Sequence, residues 1–248
     1  MRIIFFMLMS LLFAVDTAPL ITAYQGVTPN YWGERAPGVI SRIETKDKVI
    51  FLTLDACGGK TDGYDKRLID FLVMNKIPAT LFINARWIDK FPSEFHELAA
   101  NPLFEIENHG LSHRPCSING RSAYGIKGTQ SVRAVIEEVE GNATKIANLT
   151  GRRPRFYRSG TAFYDEIAVK VVNQLGYQAA GFSVLGDAGA TYSSPQVEKA
   201  VLTARSGDIV LCHMNHPESG THAGLQTALT QLIAQGYRFV RLSESSPP

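Results

Sequence analysis

The chain carries only three cysteines in 248 residues, Cys57, Cys116 and Cys212, and they form no C-x-x-C pair. That excludes the cysteine-rich zinc modules and the thioredoxin-type redox motif. An excess of one charge is also missing. The 25 basic and 23 acidic side chains leave a net +2, with no basic run long enough to make a nucleic-acid patch. No apolar run reaches the ~20 residues that a membrane-spanning helix needs. No internal repeat or low-complexity tract is visible, which excludes solenoids and long disordered linkers. What remains is ordinary globular composition, 45% hydrophobic and 19% charged. The length suits one large α/β domain or two small ones.

The amino terminus departs from that composition. Met1-Arg2 is followed by apolar residues from Ile3 to Val15, broken only by Ser10, and then by small residues including Thr17, Ala18, Thr22 and Ala23. One basic residue, a short apolar core and small residues read as a secretory signal over residues 1–23, with the cleavage point open between Ala18 and Ala23. No cysteine near its end offers a lipid anchor. The expected mature protein is exported, periplasmic or secreted, with no stable membrane anchor. An odd cysteine count in such a chain predicts one disulfide and one buried thiol.

Residues 24–47, rich in glycine and proline, read as an irregular lead-in. Strands and helices then alternate. The run 49–54 is continuously apolar and β-rich, as a strand buried on both faces should be. Asp65 can cap a helix over 66–75. Strand 79–83 follows, then a helix to residue 100 with Ser93 as its cap, and strand 103–106. Residues 110–128 are an aperiodic loop, long enough to expect a functional role. A long amphipathic helix is predicted over 130–149 and ends at Gly151. Strand 155–158, helix 166–175 capped by Asp165, strand 177–184, helix 195–204, strand 208–212, helix 221–235 and strand 237–242 complete the pattern. About seven β/α units predict a parallel sheet, most simply closed as a distorted TIM-like (β/α)7 barrel, with a doubly wound open sheet as the rival. Residues 243–248 form a tail.

Chemistry-bearing residues gather at one edge of that pattern. Asp55, His109, Arg158, Asp187 and His213 all fall at or just beyond the carboxyl ends of predicted strands, where parallel α/β folds assemble their sites. His109 and His113 are two of only six histidines. Spaced i and i+4, they would share one side of a helical turn and could share a metal. The spacing alone fits two surface or capping histidines better than a metal pair. His96 and His222 fall on predicted helices and read as structural.

Five short segments in fixed order strengthen the functional reading: Thr53-Leu54-Asp55-Ala56-Cys57-Gly58, His109-Gly110-Leu111-Ser112-His113, Tyr157-Arg158-Ser159-Gly160, Gly186-Asp187-Ala188, and Ile209-Val210-Leu211-Cys212-His213. In order and placement the chain resembles the NodB-homology polysaccharide deacetylases, carbohydrate esterase family 4, over about residues 48–242. The resemblance implies that fold and a hydrolase that removes N-acetyl groups from an envelope or extracellular glycan by attack of water bound at a divalent metal. Zinc is the first candidate metal, and peptidoglycan-like or chitin-like amino sugars are the implied substrate. It also implies roles. Asp55 would be the general base, held by Arg158. His109 and His113 would be metal ligands. His213 would be the general acid, backed by Asp187, and Leu211 would line the pocket for the acetyl methyl.

The first motif departs from the family pattern, T-F-D-D-G. The second aspartate, the third metal ligand, is replaced by Ala56. Asp55 could move onto the metal, Cys57 could supply a thiolate, Asp62 or Asp65 could swing in, or metal binding could be weak or lost. No tryptophan follows Asp187 and no proline follows Arg158, so a divergent substrate groove is expected. Two other functions stay open at this point: a metal-independent small-amide hydrolase of the same fold, and an inactive glycan-binding relative. The sequence leaves the oligomeric state undetermined.

Overall fold

The computed structural model describes residues 17–245. The apolar stretch from Ile3 to Val15, read as an export signal, lies outside the described residues. Helix α1 (Ala18–Ala23) follows it, and its Leu20 and Ile21 pack against the core. Strand β1 (Val49–Ala56) is buried along its whole length, as the unbroken apolar run requires. Helix α2 (Lys66–Met74) begins at Asp65, whose carboxylate accepts the Leu68 N–H at 3.2 Å. Strand β2 (Ala79–Ile83) leads into α3 (Ala85–Lys90), capped by Asn84. At six residues this helix is too short to show a period in the sequence. Helix α4 (Pro92–Ala100) is not capped by Ser93 as expected. It opens two residues earlier, after Phe91, with Pro92 inside its first turn, where a missing N–H costs nothing.

Strand β3 (Phe104–Asn108) runs two residues beyond its expected end. The loop after it contains a small hairpin, β4 (Ser122–Ala123) with β5 (Ile126–Lys127). Helix α5 (Val132–Thr150) is capped by Ser131 and stopped by left-handed Gly151. Strand β6 (Phe156–Tyr157) and helix α6 (Glu166–Gln174) follow. The strand expected over 177–184 is two strands, β7 (Gln178–Ala179) and β8 (Val184–Leu185). Helix α7 (Ser194–Val201), strand β9 (Ile209–His213), helix α8 (Thr221–Ala234) and strand β10 (Arg238–Val240) complete the unit.

The large sheet is parallel, in the order β7-β6-β3-β2-β1-β9-β8, with β10 beside the first half of β1. Its two edge strands, β7 and β8, are consecutive in the chain, so the sheet curls and residues 180–183 carry the chain across the remaining gap. This explains the split strand: one segment cannot pair with both edges at once. The lead-in fills the gap. Ile40 donates its N–H to Ala179 O and accepts from Gly181 N, both at 2.8 Å, and Ser183 N reaches Ile209 O at 3.0 Å. The result is a distorted (β/α) barrel with helices outside. Along β1, alternation turns Leu52 and Leu54 outward into the helix layer, while Phe51 packs with Phe82, Phe156 and Ile209 inside the barrel. Asp55 lies on the same inward face, at the carboxyl end.

Candidate active site

Register brings two titratable side chains together. Asp55 of β1 stands directly opposite His213 of the neighbouring β9, and residues opposite in register share a face. The Arg158 guanidinium lies beneath them, fully buried and 4.1 Å above the Phe82 ring. Its Nη1 donates to Asp55 Oδ1 at 2.7 Å and to Thr53 Oγ1 at 2.9 Å, and Nη2 donates to Gly181 O at 2.8 Å. One carboxylate oxygen is thus fixed, while the other lies 3.5 Å from His109 Nε2.

His213 is oriented from behind. Its Nδ1 lies 2.8 Å from Asp187 Oδ1, while Asp187 Oδ2 accepts its backbone N–H at 2.7 Å and the Thr221 hydroxyl at 2.9 Å. Burial alone would lower the His213 pKa, but the adjacent Asp187 charge and hydrogen bond, with contacts from Cys57, raise it well above the ordinary value. Burial pulls Asp187 the other way, and the His213 charge together with the hydrogen bonds from His213 and Thr221 overcomes it and lowers the carboxyl.

His109 and His113 do not sit on a helical turn. The segment after β3 is irregular, with positive φ at Gly110 (79°) and His113 (59°). The imidazoles still meet, with ring centroids 4.9 Å apart, because the loop is clamped from outside. Asn84 Nδ2 donates to His109 O and Gly110 O at 2.9 and 2.7 Å. Glu138 of α5 accepts from Ser112 N and Arg114 N at 2.9 and 3.2 Å. A side chain at residue 110 would run into that carboxylate, so glycine is required there by space as well as by φ. Sequence reasoning missed Asn84 and Glu138. Their signal was weak: a lone asparagine after a strand, and a single acid on the buried face of an amphipathic helix.

The donor set fits a metal ion. His109 Nδ1 lies 3.0 Å from Arg158 O, which fixes the tautomer and presents Nε2 to the cleft. His113 Nε2 is buried without a hydrogen-bond partner. The ligand atoms of Cys57, His109 and His113 all lie within 4.8 Å of one another. Burial would raise the Cys57 thiol, but the electrostatic pull of His113 and hydrogen bonding to His109, His113 and His213 hold it well below the usual thiol range. Cys57, Cys116 and Cys212 are all free, so the expected disulfide is absent. Cys116 and Cys212 belong to separate buried clusters, which places neither beside the other. Asp65 is occupied as the α2 cap. Asp62 accepts Gly59 N and Asn215 Nδ2, both at 2.7 Å, with His216 Nε2 at 3.6 Å.

Asp55, Cys57, His109, His113 and His213 line one cleft of about 610 Å³, while Arg158 and Asp187 are fully buried and do not line it. Leu211, Phe182 and Leu185 line its apolar side, and Tyr124 and Ile126 of the hairpin form an outer wall. The loop after β3 therefore contributes to the cleft. Arg121 does not line it; its guanidinium covers the Trp32 ring at 5.8 Å. His96 lies elsewhere, on α4.

Residues 42–180 match the family described as polysaccharide deacetylase. The chain is 27% identical over 207 residues to the peptidoglycan-N-acetylglucosamine deacetylase of Bacillus cereus, spanning 82% of this chain and 90% of that one. Among solved structures, Bacillus subtilis PdaA, a family 4 carbohydrate esterase, superposes with a TM-score of 0.69 at 21% identity over 84% of each chain. A family 4 pseudoenzyme from Bacillus anthracis gives 0.70 at 22% identity, over 85% of this chain and 69% of that one. The structural likenesses carry the fold, and the family match spans more than half of the sequence. On that match, the chain belongs to the polysaccharide deacetylase family.

Proposed function

We propose that the protein removes N-acetyl groups from an envelope glycan, peptidoglycan first, in a reaction that depends on a divalent metal, and that it acts outside the cytoplasmic membrane. The observation that carries this reading is the pairing of Asp55 with His213 across β1 and β9, each with its own orienting partner, at the mouth of one cleft. An inactive glycan binder has no use for two proton carriers tuned in this way. No helix among the described residues is long and apolar enough to cross a membrane, and the export reading rests on the Ile3 to Val15 stretch.

His109 and His113 would hold the metal, which supplies carbonyl polarisation and acidification of water. Asp55, fixed at one oxygen by Arg158, accepts a proton from the attacking water through its other oxygen. His213 Nε2 then protonates the departing amine, with Asp187 compensating the imidazolium charge. Leu211 and Phe182 keep the acetyl methyl away from water. The test is acetate release from N-acetylated peptidoglycan fragments and chitin oligomers. Chelation should abolish it and zinc should restore it. Full activity in chelated protein would remove metal from the mechanism, and no acetate from any glycan would remove the deacetylase reading.

Tyr124 offers a subsite away from the chemistry. Its ring is 75% exposed, stands edge-on to Phe163 at 5.4 Å, and its hydroxyl donates to Glu34 Oε1 at 3.2 Å. An aromatic face held at a cleft rim can stack on a sugar ring. Such stacking contributes about 0.5–1.5 kcal/mol, so Tyr124→Ala should raise KM roughly three- to tenfold with kcat unchanged. Thermal melting should not move, because so little of the side chain is buried. An equal loss of stability would mean that the hairpin serves folding instead.

A further inference from the structure

We propose that the Cys57 side chain completes the metal site, giving a Cys-His-His ligand set in place of the carboxylate that the family pattern puts at residue 56. The inference rests on the metal-dependent reading above. Ala56 brings no donor and is fully buried at the end of β1. Two imidazoles alone make a poor site, so a third ligand must come from a neighbour.

Two of the nearby carboxylates are engaged elsewhere: Asp65 caps α2, and Asp62 is tied to Gly59 and Asn215. Asp55, held at Oδ1 by Arg158, keeps its Oδ2 for the proton of the attacking water in the reading above. The Cys57 sulfur, by contrast, contacts only histidines, with Sγ 3.8 Å from His109 Nε2. Zinc at ~2.3 Å from sulfur and ~2.0–2.1 Å from nitrogen, at tetrahedral angles, sets those two atoms roughly 3.6 Å apart. The observed separation is already close to that. His113 brings a ring nitrogen within 4.8 Å of both other ligand atoms, and its Nε2 is buried without a hydrogen-bond partner. Backbone geometry explains how a residue one position along can stand in. Gly58 adopts a φ of 77°, and a Cβ there would lie 2.5 Å from Trp87 N, so the chain turns hard after Cys57 and leaves its side chain on the cleft side. A thiolate also preserves the single negative charge that the missing carboxylate would have brought.

Ligand softness then sets the metal. Thiolate favours zinc over magnesium, calcium or manganese. Cobalt(II) gives a readout independent of turnover, because a cobalt–thiolate bond produces an intense charge-transfer band in the near ultraviolet that nitrogen and oxygen ligands do not. The full chain, stripped of metal and titrated with cobalt(II), should show this band, and zinc should displace it with a single ion bound. Cys57→Ser should lose the band and bind zinc at least ~100-fold more weakly. Cys57→Asp should bind zinc without the band, which covers the case in which the serine variant folds poorly. A band that persists in Cys57→Ser, or zinc affinity unchanged in both variants, overturns the ligand assignment and leaves the metal-dependent reading standing. Wild-type protein that binds no metal overturns both. An acetyl thioester on Cys57, trapped from metal-free protein and substrate, would reassign the sulfur as a nucleophile served by His213.

Discussion

Replacing His213 with alanine should lower kcat on an N-acetylated glycan by ~100- to 10,000-fold, the usual worth of a positioned acid, while KM changes little. The more discriminating variant is Asp187→Asn. In the wild-type protein the Asp187 charge and hydrogen bond, together with contacts from Cys57, overcome burial and raise the His213 pKa well above its ordinary value, so the imidazolium persists to higher pH than in a free histidine. Turnover that needs a protonated His213 is retained until the pH passes that raised value. Asparagine keeps the shape but removes the charge, so the alkaline limb of the kcat/KM profile should move to lower pH. Stability follows the same sign. A histidine whose folded pKa lies above its unfolded value of ~6.5 contributes fully below that pH and loses its contribution as pH rises through the folded pKa. Asp187, whose folded pKa is lowered, contributes above its unfolded value of ~3.9 and loses that as pH falls through the folded pKa. The variant should therefore be destabilised most between the lowered Asp187 pKa and the raised His213 pKa, and converge on wild type as pH rises through the latter. An alkaline limb that stays in place would rule out His213 as the acid.

Much of the barrel was legible because its strands are buried on both faces. An unbroken run such as Val49 to Leu54 has one good solution, a central parallel strand, and the caps Asp65, Asp165 and Gly151 fix the helix ends by local hydrogen bonding. What failed was whatever depends on closure. Residues 177–184 have the composition of one strand. Only the curl of the sheet, which puts β7 and β8 on opposite edges, decides that the middle must cross a gap. The same closure gives the lead-in its role, since the pairing of Ile40 with Ala179 and Gly181 has no sequence signature.

The site divides in a similar way. Residues that end strands were placed by alternation and motif order, which is why Asp55, Arg158, Asp187 and His213 meet. The imidazole pair was read through the wrong local geometry. A four-residue spacing suits a helix, but Gly110 and a positive φ at His113 let a loop bring the rings together, held by partners 25 residues or more away in sequence such as Asn84 and Glu138. Cys57 stands in the sequence as one of several candidate third ligands beside Asp55, Asp62 and Asp65, and composition favours packing or a disulfide for a cysteine. Only the tertiary contacts show three free thiols and one of them among histidines.

Arg158→Leu should be the most destabilising single change at the site, because it tests whether the barrel interior tolerates the Asp55 charge without a partner. The guanidinium is fully buried and satisfies Asp55, Thr53 and the Gly181 carbonyl at once. Leucine fills the space above Phe82 but strands a carboxylate whose side chain is only 4% exposed. Removing one partner of a buried pair costs about 3–5 kcal/mol, and His109 at 3.5 Å brings the expectation to the lower end. At about 3 kcal/mol, a chain of this size should melt roughly 6–12 °C lower. Activity should vanish with it, since Asp55 loses the hydrogen bond that orients it. The variant Arg158→Leu with Asp55→Asn separates the two effects. Taking away the stranded charge should recover part of the lost stability but none of the activity, with a coupling energy well above the ~0.5 kcal/mol of independent sites. If the two substitutions simply add, Arg158 is packing for the barrel and not the anchor of its base.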